Sequence, residues 1–291
     1  MDAAPTAAYK KAMSARISFR KMHGLGNDFV IVDARQTGTF FTPGQAARIA
    51  DRRRGVGCDQ LIVMERTSDD ADLFMRILNA DGSEAEACGN ATRCVALLLF
   101  AETGRREVVI RTLGGRLPAC LAEGGEVSVD MGPAYLAWDE VPLAEKADTL
   151  HLDFDCGALV DPVALSMGNP HVVFFVEDVD AIDLEQLGPE IEHDPLFPNR
   201  TNVQIVSLAG PDHLRQRIWE RGAGLTLASG SGGCAAMVAA ARRGLVGRKA
   251  RVDQPGGRLT LDWREDNGHV WMTGPVATAF TGELDSSLLQ G

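Results

Sequence analysis

One regularity constrains the fold of this chain more than any single segment does. Short motifs recur in the same order at a spacing of 142 residues. The pairs are Gly26-Asn27 with Gly168-Asn169, Gly114–Leu117 with Gly256–Leu259, and Gly132-Pro133 with Gly274-Pro275. Similarity at a fixed spacing is the sequence signature of a repeated structural unit. We therefore expect two related halves.

The central motifs of the two halves differ in one informative way. Arg76–Asn79 recurs 141 residues later as Arg217–Glu220. Nine residues beyond the first copy lies Cys88, and nine beyond the second lies Ser229. Each is followed by glycine and a small polar residue. The repeat therefore places a thiol in one half where the other half has a hydroxyl.

Each half has the same sequence of secondary-structure signals. Strands are followed by a small-residue turn, an apolar helix and a glycine-bounded hairpin. The helix runs are Val95–Phe100, stopping before Gly104, and Cys234–Ala241, stopping at Gly244. This order favours an α+β fold of two pseudo-symmetric repeats, each a mostly antiparallel sheet wrapped around a central helix.

Further elements follow the same duplication. Strands are expected at Phe29–Val32 and Val172–Val176, a Thr42-capped helix at Pro43–Arg52, and its counterpart at Asp183–Glu192. Proline, acidic residues and broken periodicity predict a linker at Ala134–Leu150. The predicted organisation is a disordered tail at 1–16, a domain at 17–140 carrying Cys88 and a domain at 141–291 carrying Ser229.

Composition excludes several classes of protein. The net charge of −11, with no long basic cluster, argues against a nucleic-acid surface. No stretch approaches the ~20 apolar residues that span a bilayer, and residues 1–16 lack the apolar core of a secretory signal. Six cysteines without a C-x-x-C pair predict neither a zinc site nor a disulfide framework, so we expect free thiols in a reducing cytoplasm.

Cys88 has the sequence setting of a reactive thiol. It precedes the first apolar helix among small and polar residues, where unpaired N–H groups and the helix dipole favour an anion. Such a position lowers a thiol pKa from ~8.5 toward ~3.5 to 7.5. Cys94 and Cys234 lie inside their helices, where core packing is the expected role.

Two helix N-termini that bind one substrate are suited to proton removal from an α-carbon. A carboxylate held by Gly89-Asn90 and Gly230-Ser231 would place the α-carbon of an amino acid between residues 88 and 229. Removing the α-proton builds negative charge where two helix dipoles can stabilise it. One residue takes a proton from one face and the other delivers one to the opposite face. The pattern predicts two-base stereoinversion.

Motifs spread over nearly the whole chain after about residue 17 carry a family resemblance. They are Lys21–Phe29, Gly57–Gln60, Asn79–Asn90, Gly168–His171, Asn202 and Glu220–Gly224. In these motifs the chain resembles the diaminopimelate epimerases, cofactor-independent isomerases of lysine and peptidoglycan biosynthesis that convert the LL to the meso form. The resemblance implies a two-domain pseudo-symmetric fold, two catalytic cysteines, no metal, no pyridoxal phosphate and a homodimer.

The resemblance also implies roles for individual residues. Cys88 matches the first catalytic thiol, and His171 and Glu220 match residues that orient the site and tune proton transfer. Substrate contacts match Asn27, Gln60, Asn79, Asn169, Asn202, Glu220 and Arg221, and the carboxylate cradle matches Gly89, Asn90, Gly230 and Ser231. These types suit a substrate with two amino-acid ends, since arginine grips a carboxylate as a fork and glutamate attracts an ammonium.

The main departure from the family pattern is Ser229, which stands where the family has the second cysteine. Helix-end stabilisation of at most ~2 kcal/mol, about 1.5 pKa units, cannot turn a hydroxyl into a base at neutral pH. Ser229 therefore cannot replace a thiolate as base. Milder departures are Ala91, Leu225 and Phe280, where the family commonly has Gly, Glu and an interface Tyr.

Three interpretations of Ser229 remain open at the level of sequence. The first, which we favour because the binding positions are intact, is an inactivating Cys-to-Ser change in an otherwise ordinary epimerase. The second is one-base chemistry, such as a lyase or dehydratase of the proline-racemase-like group. The third is an amino-acid binder without turnover. The Glu220-Arg221 pair favours a substrate with a second charged end over the compact substrates of the dehydratases.

Overall fold

The structure, a computed structural model, describes residues 17–290, and the tail predicted at 1–16 lies outside them. The strands in chain order are β1 Ile17–Gly24, β2 Asn27–Asp33, β3 Gln60–Glu65, β4 Leu73–Asn79, β5 Glu84–Ala85, β6 Glu107–Thr112, β7 Gly115–Leu121, β8 Val127–Pro133, β9 Val163–Ser166, β10 Pro170–Phe175, β11 Asn202–Gly210, β12 His213–Glu220, β13 Gly224–Leu225, β14 Lys249–Gln254, β15 Gly257–Trp263, β16 His269–Gly274 and β17 Ala277–Leu284. The helices are α1 Pro43–Ala50, α2 Gly89–Thr103, α3 Leu184–Glu192 and α4 Gly230–Arg242.

The duplication predicted from sequence is visible in the strand pairings. In the first half β2 runs parallel to β3, β3 antiparallel to β4, and β4 parallel to β6. In the second half β10 runs parallel to β11, β11 antiparallel to β12, and β12 parallel to β14. The two copies therefore share one topology, an α+β arrangement in which each repeat also contains two parallel pairs.

The chain folds into two compact units whose limits differ from the predicted boundary at 140/141. The first unit comprises residues 17–23, 28–116 and 276–290 of the described chain, and the second comprises 24–27 and 117–275. Two strand pairings explain the difference. β17 pairs with β1, which places the C-terminal strand in the first unit, and β8 pairs with β16, which places residues 127–133 in the second. Pairing between strands far apart in the sequence sets the limits of the units. The composition of a connecting segment gives no information about such pairing.

Helix α2 follows its sequence signals closely. Cys88 is its N-cap in an extended conformation, and the helix ends at Gly104, whose φ of 69° is the left-handed geometry that glycine adopts at low cost. The N–H of Gly104 donates to the carbonyl of Phe100. Cys94 lies inside the helix and is fully buried, and burial raises the pKa of its thiol to about 12. Its predicted packing role is confirmed.

Helix α4 is the centre of the second unit. Its residues Cys234–Ala240 are fully buried, and the helix contacts strands β9 to β12 and β14 to β16. The alanine and glycine residues of the helix, which have a methyl group or no side chain, allow those strands to approach it closely on several sides. The predicted sheet wrapped around a central helix is confirmed here. The helix begins at Gly230, one turn before the predicted Cys234, because the small residues after the Ser229 cap already adopt helical geometry.

The segment predicted as a linker at Ala134–Leu150 is part of the packed second unit. Val141 and Leu143 are buried in an apolar cluster with Phe174, Leu184 and Ile191. The linker prediction was wrong because the segment lacks helical or strand periodicity yet still supplies two apolar side chains to the core. Irregular backbone and burial are separate properties, and only the first was visible in the sequence.

The predicted cap of helix α1 is confirmed by its hydrogen bonds. The Thr42 hydroxyl accepts from the Gln45 N–H at 3.3 Å, and the Gln45 side chain accepts from the Thr42 N–H at 2.8 Å. This is a capping box, which satisfies two N–H groups that the helix cannot. The helix ends at Ala50, two residues before the predicted end, with Asp51 as its C-cap.

Candidate active site

The first unit places the Cys88 thiol at the start of helix α2. Residue 88 is half-buried, and its carbonyl accepts from both the N–H and the hydroxyl of Thr92, each at 2.9 Å. Gly89 and Asn90 follow as the first helical residues and are buried. Their N–H groups lie among those that an α-helix leaves without an internal partner. The thiol and an anion-binding helix end thus occur together.

Gln60 and Asn79 form a second element in the same unit. They are opposite each other on β3 and β4, and Gln60 Nε2 donates to Asn79 Oδ1 at 2.9 Å. Asn79 Nδ2 in turn donates to the Ser83 hydroxyl at 3.0 Å. Gln60 Oε1 is a buried acceptor without a hydrogen-bond partner among residues 17–290. Such an acceptor is suited to a ligand N–H or ammonium group.

A charged network that was not anticipated from the sequence flanks these residues. Asp28 and Asp59 exchange hydrogen bonds, since the N–H of each donates to the other's carboxylate at 3.0 Å. Arg52 bridges both carboxylates at 2.7 Å, and Lys21 pairs with Asp28 at 2.6 Å. Burial raises the pKa of Asp28, but hydrogen bonds from Arg52 and Lys21 outweigh it and hold that pKa well below its usual range. Asp28 follows Asn27 and Asp59 precedes Gln60, so the network fixes the backbone next to two predicted contacts.

The second unit places Ser229 at the start of helix α4. Ser229 is 3% exposed, and its hydroxyl accepts from the Gly232 N–H at 3.2 Å as a helix cap. The same hydroxyl donates to Glu220 Oε2 at 2.9 Å. Thr226 donates its hydroxyl to Glu220 Oε1 at 2.6 Å. The Glu220 carboxylate therefore accepts from two hydroxyls and orients the side chain at position 229.

A chain of polar side chains leads from Ser231 to a buried histidine. Asn169 Nδ2 lies 3.5 Å from the Ser231 hydroxyl, and Asn169 Oδ1 lies 2.9 Å from His171 Nε2. Gln204 Nε2 lies 2.9 Å from His171 Nδ1. Burial, partly opposed by the Gln204 hydrogen bond, lowers the pKa of His171 to about 3. The imidazole is therefore neutral at pH 7, a form that can accept from Gln204 and donate to Asn169.

Asn202 and the Glu220–Gly224 turn are joined through the backbone. Asn202 Oδ1 accepts from the N–H of Arg221 at 3.0 Å, and its Nδ2 donates to the carbonyl of Pro170 at 2.8 Å. On the other side, Glu192 accepts from the Gly222 N–H at 2.9 Å and from Trp219 Nε1 at 2.7 Å. Glu192 is 3% exposed. The turn that presents Glu220 and Arg221 is thus held from two directions.

Comparison with known proteins decides the family. A family model described as diaminopimelate epimerase matches residues 19–137 and 163–279. The chain belongs to the diaminopimelate epimerase family. It is 57% identical over 277 residues to the diaminopimelate epimerase of Acidiphilium cryptum, covering 95% of this chain and 99% of that one. It is also 57% identical over 274 residues to the diaminopimelate epimerase of Rhodospirillum centenum, covering 94% of each chain.

A solved structure shows how widely the fold of the diaminopimelate epimerase family is shared. A hydroxyproline epimerase from Agrobacterium vitis, crystallised with bound trans-4-hydroxy-L-proline, matches with a TM-score of 0.64 at 17% identity. The match covers 92% of this chain and 91% of that chain. At this identity the likeness concerns the two-domain fold alone.

The structure divides the residues matched to the diaminopimelate epimerase family between the two units. Gln60, Asn79, Cys88, Gly89 and Asn90 lie in the first unit. In the second unit lie Asn27, Asn169, His171, Asn202, Glu220, Arg221, Ser229, Gly230 and Ser231. Asn27 belongs there because the loop after β1 inserts Leu25 into the apolar cluster around helix α4. Each unit thus assembles its own part of the candidate site around the N-terminus of its central helix.

Three partners of these residues were missed by the sequence reasoning: Glu192, Gln204 and Gln254. Each is an ordinary polar residue in a strand or helix, 12 or more residues away from the residue that it holds. The repeat gave no signal for them, since none belongs to a motif that recurs in the first half. Gln204 and Gln254 are brought to the site by strands β11 and β14, and Glu192 by the end of helix α3.

Between residues 17 and 290, His, Cys, Asp and Glu side chains form no group of three or more that could coordinate a metal ion. The helices of the same residues are all too short or too polar to traverse a bilayer.

His171 gives a prediction about acid stability. Its folded-state pKa of about 3 lies below the ordinary value of 6.5, so below pH 6.5 the unfolded chain binds a proton that the folded chain does not. Stability should therefore fall as the pH falls from 6.5 toward 3, by roughly 3 kcal/mol at pH 4 from this group. Urea unfolding from pH 7.5 to pH 4 should show a shallower loss for His171→Gln. His151→Gln, at an exposed histidine, is the control and should keep the wild-type slope. Equal slopes for H171Q and the wild type would contradict the prediction.

Proposed function

We propose that this chain acts on diaminopimelate without a cofactor, by proton transfer at an α-carbon, and that Ser229 impairs its conversion of the LL to the meso form. The observation that carries the proposal is the equivalence of two helix caps. Cys88 caps α2 and Ser229 caps α4, at corresponding points of the repeat. A stereoinversion by two bases needs one proton-transferring group for each face of the carbon, and these caps are the candidates.

Carboxylate recognition is the first part of the mechanism. The α-carboxylate is assigned to the N–H groups at Gly89-Asn90 and Gly230-Ser231. Helix N-termini bind anions because their N–H groups point outward and the dipole is positive there. When the α-proton leaves, the electron pair left on carbon is delocalised into this carboxylate. The same N–H groups then stabilise the added charge, which lowers the barrier.

Cys88 is assigned as the base on one face. Its thiolate takes the α-proton, so that the C–H bond breaks and an S–H bond forms. The reverse step returns a proton from sulfur to the same face and restores the starting stereoisomer. If the S–H proton exchanges with solvent in the interval, the substrate gains solvent hydrogen without inversion.

Ser229 limits proton transfer on the opposite face of the α-carbon. Its hydroxyl already donates to Glu220 and accepts from the Gly232 N–H, so the proton remains on oxygen. A neutral hydroxyl cannot remove an α-proton, and as a proton donor it would leave an alkoxide beside the Glu220 carboxylate. Removal and delivery of a proton by residue 229 are therefore both slow. Substrate binding is retained because serine nearly preserves the shape of cysteine.

The other residues matched to the family are assigned to the charged and polar groups of the substrate. Arg221 supplies a guanidinium for a carboxylate, and Glu220 a carboxylate for an ammonium. Gln60, Asn79, Asn169 and Asn202 supply amide groups. Asn27 completes the set. His171, neutral and fully buried, acts by holding Asn169 rather than by exchanging protons at pH 7.

Isotope exchange tests this function directly. LL-diaminopimelate and the meso form are incubated separately with the protein in heavy water, and the α-proton signal is followed by NMR. One stereoisomer should lose its α-proton signal while its stereochemistry is retained. Rapid inversion would contradict the proposed role of Ser229. Tight binding without any exchange would favour a binder, and water loss from added hydroxyproline would favour a lyase.

We also propose a homodimer in the cytoplasm. The cytoplasm is supported by six cysteines that stand as thiols, which a reducing compartment preserves. The dimer is supported by strand β17, where residues 277–281 are all exposed and Phe280 is 49% exposed. Phe280 also packs edge-on against Phe19, with ring centroids 6.0 Å apart. A large aromatic on an ordered strand is a typical interface anchor.

The dimer proposal predicts a change in oligomeric state on mutation. Phe280→Asp should shift the mass measured by light scattering from two chains to one, because a carboxylate buried at an interface is strongly unfavourable. Leu208→Asp, at another exposed apolar residue on β11, is the matched control and should leave the mass unchanged. A wild-type protein that is monomeric at micromolar concentration would contradict the proposal.

A further inference from the structure

Gln254 makes an unusual pair of contacts with residue 229. Gln254 Oε1 accepts from the Ser229 N–H at 2.7 Å, and Gln254 Nε2 donates to the Ser229 carbonyl at 3.0 Å. One carboxamide therefore binds both backbone groups of the same residue. We propose that Gln254 is a positioning residue for proton transfer through position 229, an inference that rests on the function proposed above.

The conformation of Ser229 explains why such a side chain is needed. As N-cap it has φ −130° and ψ 124°, which is extended backbone. Its carbonyl accepts the first hydrogen bond of α4, from the Gly233 N–H at 3.0 Å, while its own N–H lies outside the helix. Ser229 is buried, and a buried N–H without a partner costs about 1 to 3 kcal/mol. An amide side chain supplies an acceptor and a donor on two adjacent atoms, as a neighbouring strand would.

Two local costs accompany this arrangement. A Cβ at Gly233 would lie 2.8 Å from Gln254 Nε2 and would displace that carboxamide, and glycine in a helix costs about 1 kcal/mol relative to alanine. Gln216 accepts from Gln254 Nε2 at 3.3 Å, yet its own Nε2 is buried without a partner among residues 17–290. An apolar pair in place of Gln216 and Gln254 would avoid both costs, but it would leave the buried Ser229 N–H without the acceptor that Gln254 supplies.

The two hydrogen bonds from Gln254 fix the backbone of residue 229 and therefore the position of its Cβ. With the backbone held by Gln254, the Ser229 hydroxyl reaches Glu220 at 2.9 Å and Gly232 N at 3.2 Å. A thiol introduced at 229 would start from the same backbone position. Misplacement of a reacting group by about 1 Å can cost 100-fold in rate. Loss of Gln254 should therefore slow proton transfer by residue 229 and leave the rate of proton transfer by Cys88 unchanged.

The first repeat has threonine where the second has Gln254. By the spacing of 142 residues, Gln254 corresponds to Thr112, whose hydroxyl donates to the Gly115 carbonyl at 3.2 Å. Thr112 is also buried and also ends its strand, β6. It offers a matched control, since Thr112→Val removes a polar group at the equivalent place in the other unit.

The experiment uses the full chain with Ser229→Cys, so that both faces can be followed. Proton loss is measured in heavy water from each stereoisomer separately, with and without Gln254→Leu. We expect Q254L to slow proton removal from one stereoisomer by about 10- to 100-fold in kcat, with KM changed by less than about threefold. Removal from the other stereoisomer and all rates of T112V should stay within about twofold. Equal slowing from both stereoisomers would overturn the inference.

A second measurement does not depend on the substrate. In the double variant Cys88→Ser, Ser229→Cys, the rate at which iodoacetamide alkylates the protein is recorded against pH. The contribution of the five other cysteines is measured in a Cys88→Ser control and subtracted. Q254L should change the rate at position 229 at pH 7 by at least about fivefold, and an unchanged profile would overturn the inference. If Q254L does not fold, Gln254→Glu, which keeps the acceptor for the residue 229 N–H, replaces it. Failure of S229C to invert diaminopimelate would instead count against the proposed function, while this profile still decides the role of Gln254.

Discussion

Replacing Ser229 with cysteine is expected to raise the rate of LL-to-meso conversion roughly 100- to 10,000-fold, the range that one positioned general base or acid contributes. The thiol would occupy the cap of helix α4, where the positive end of the helix favours its ionised form. The change adds no atoms beyond sulfur for oxygen, so the fold should be retained. Circular dichroism or polarimetry of the product, together with α-proton exchange in heavy water, measures the gain.

Ser229→Ala is the control for this gain. It removes the hydroxyl and its hydrogen bonds to Glu220 and the Gly232 N–H, which should lower stability by about 1 kcal/mol through loss of the cap. Inversion by S229A should not exceed that of the unchanged chain. If the chain with Ser229 already inverts diaminopimelate as fast as S229C does, a thiol at this position is not required and the two-thiol account fails.

Replacing Cys88 with alanine is expected to abolish the one-face exchange, with a fall of at least roughly 100-fold. The reason is that Cys88 is the half-buried thiol at the N-terminus of helix α2, where the helix dipole favours its ionised form. Binding of diaminopimelate, measured by calorimetry, should change by less than about tenfold, because the N–H groups remain. This separates loss of chemistry from loss of substrate.

Cys94→Ala is the matched control, in the same helix one and a half turns later. Cys94 is fully buried, and burial raises the pKa of its thiol to about 12, so it is an un-ionised core residue. C94A should lower the unfolding free energy by about 1 kcal/mol and leave exchange within about twofold. Loss of exchange in C94A equal to that in C88A would show that a packing change in α2, rather than removal of a base, explains both.

Features that depend on neighbours in the chain were predictable. The capping box at Thr42, the start of α2 at Cys88 and its end at Gly104 all follow from local hydrogen-bonding and steric rules. The duplicated topology was predictable too, because recurring motifs report a repeated unit whatever its packing. The same signals predict that Cys88 and Ser229 lie at equivalent helix ends.

Features that depend on distant partners were not predictable. Nothing near residue 229 in the sequence indicates that Gln254 binds its backbone or that Glu192 holds the turn after Glu220. The membership of the C-terminal strand in the first unit follows from its pairing with β1, which involves residues more than 250 positions apart. The packing of Val141 and Leu143 likewise comes from the core around Phe174.

The sequence by itself therefore determined the repeat, the helix ends and the identity of the two side chains placed there, since caps and periodicity are set by residues a few positions apart. The tertiary structure decided which side chains hold those ends. His171 is neutral because it is fully buried. Ser229 is hydrogen-bonded to Glu220 and Gln254. Strand pairing decides which residues belong to each unit. The physical reason is that burial and hydrogen bonding between strands are properties of neighbours in space.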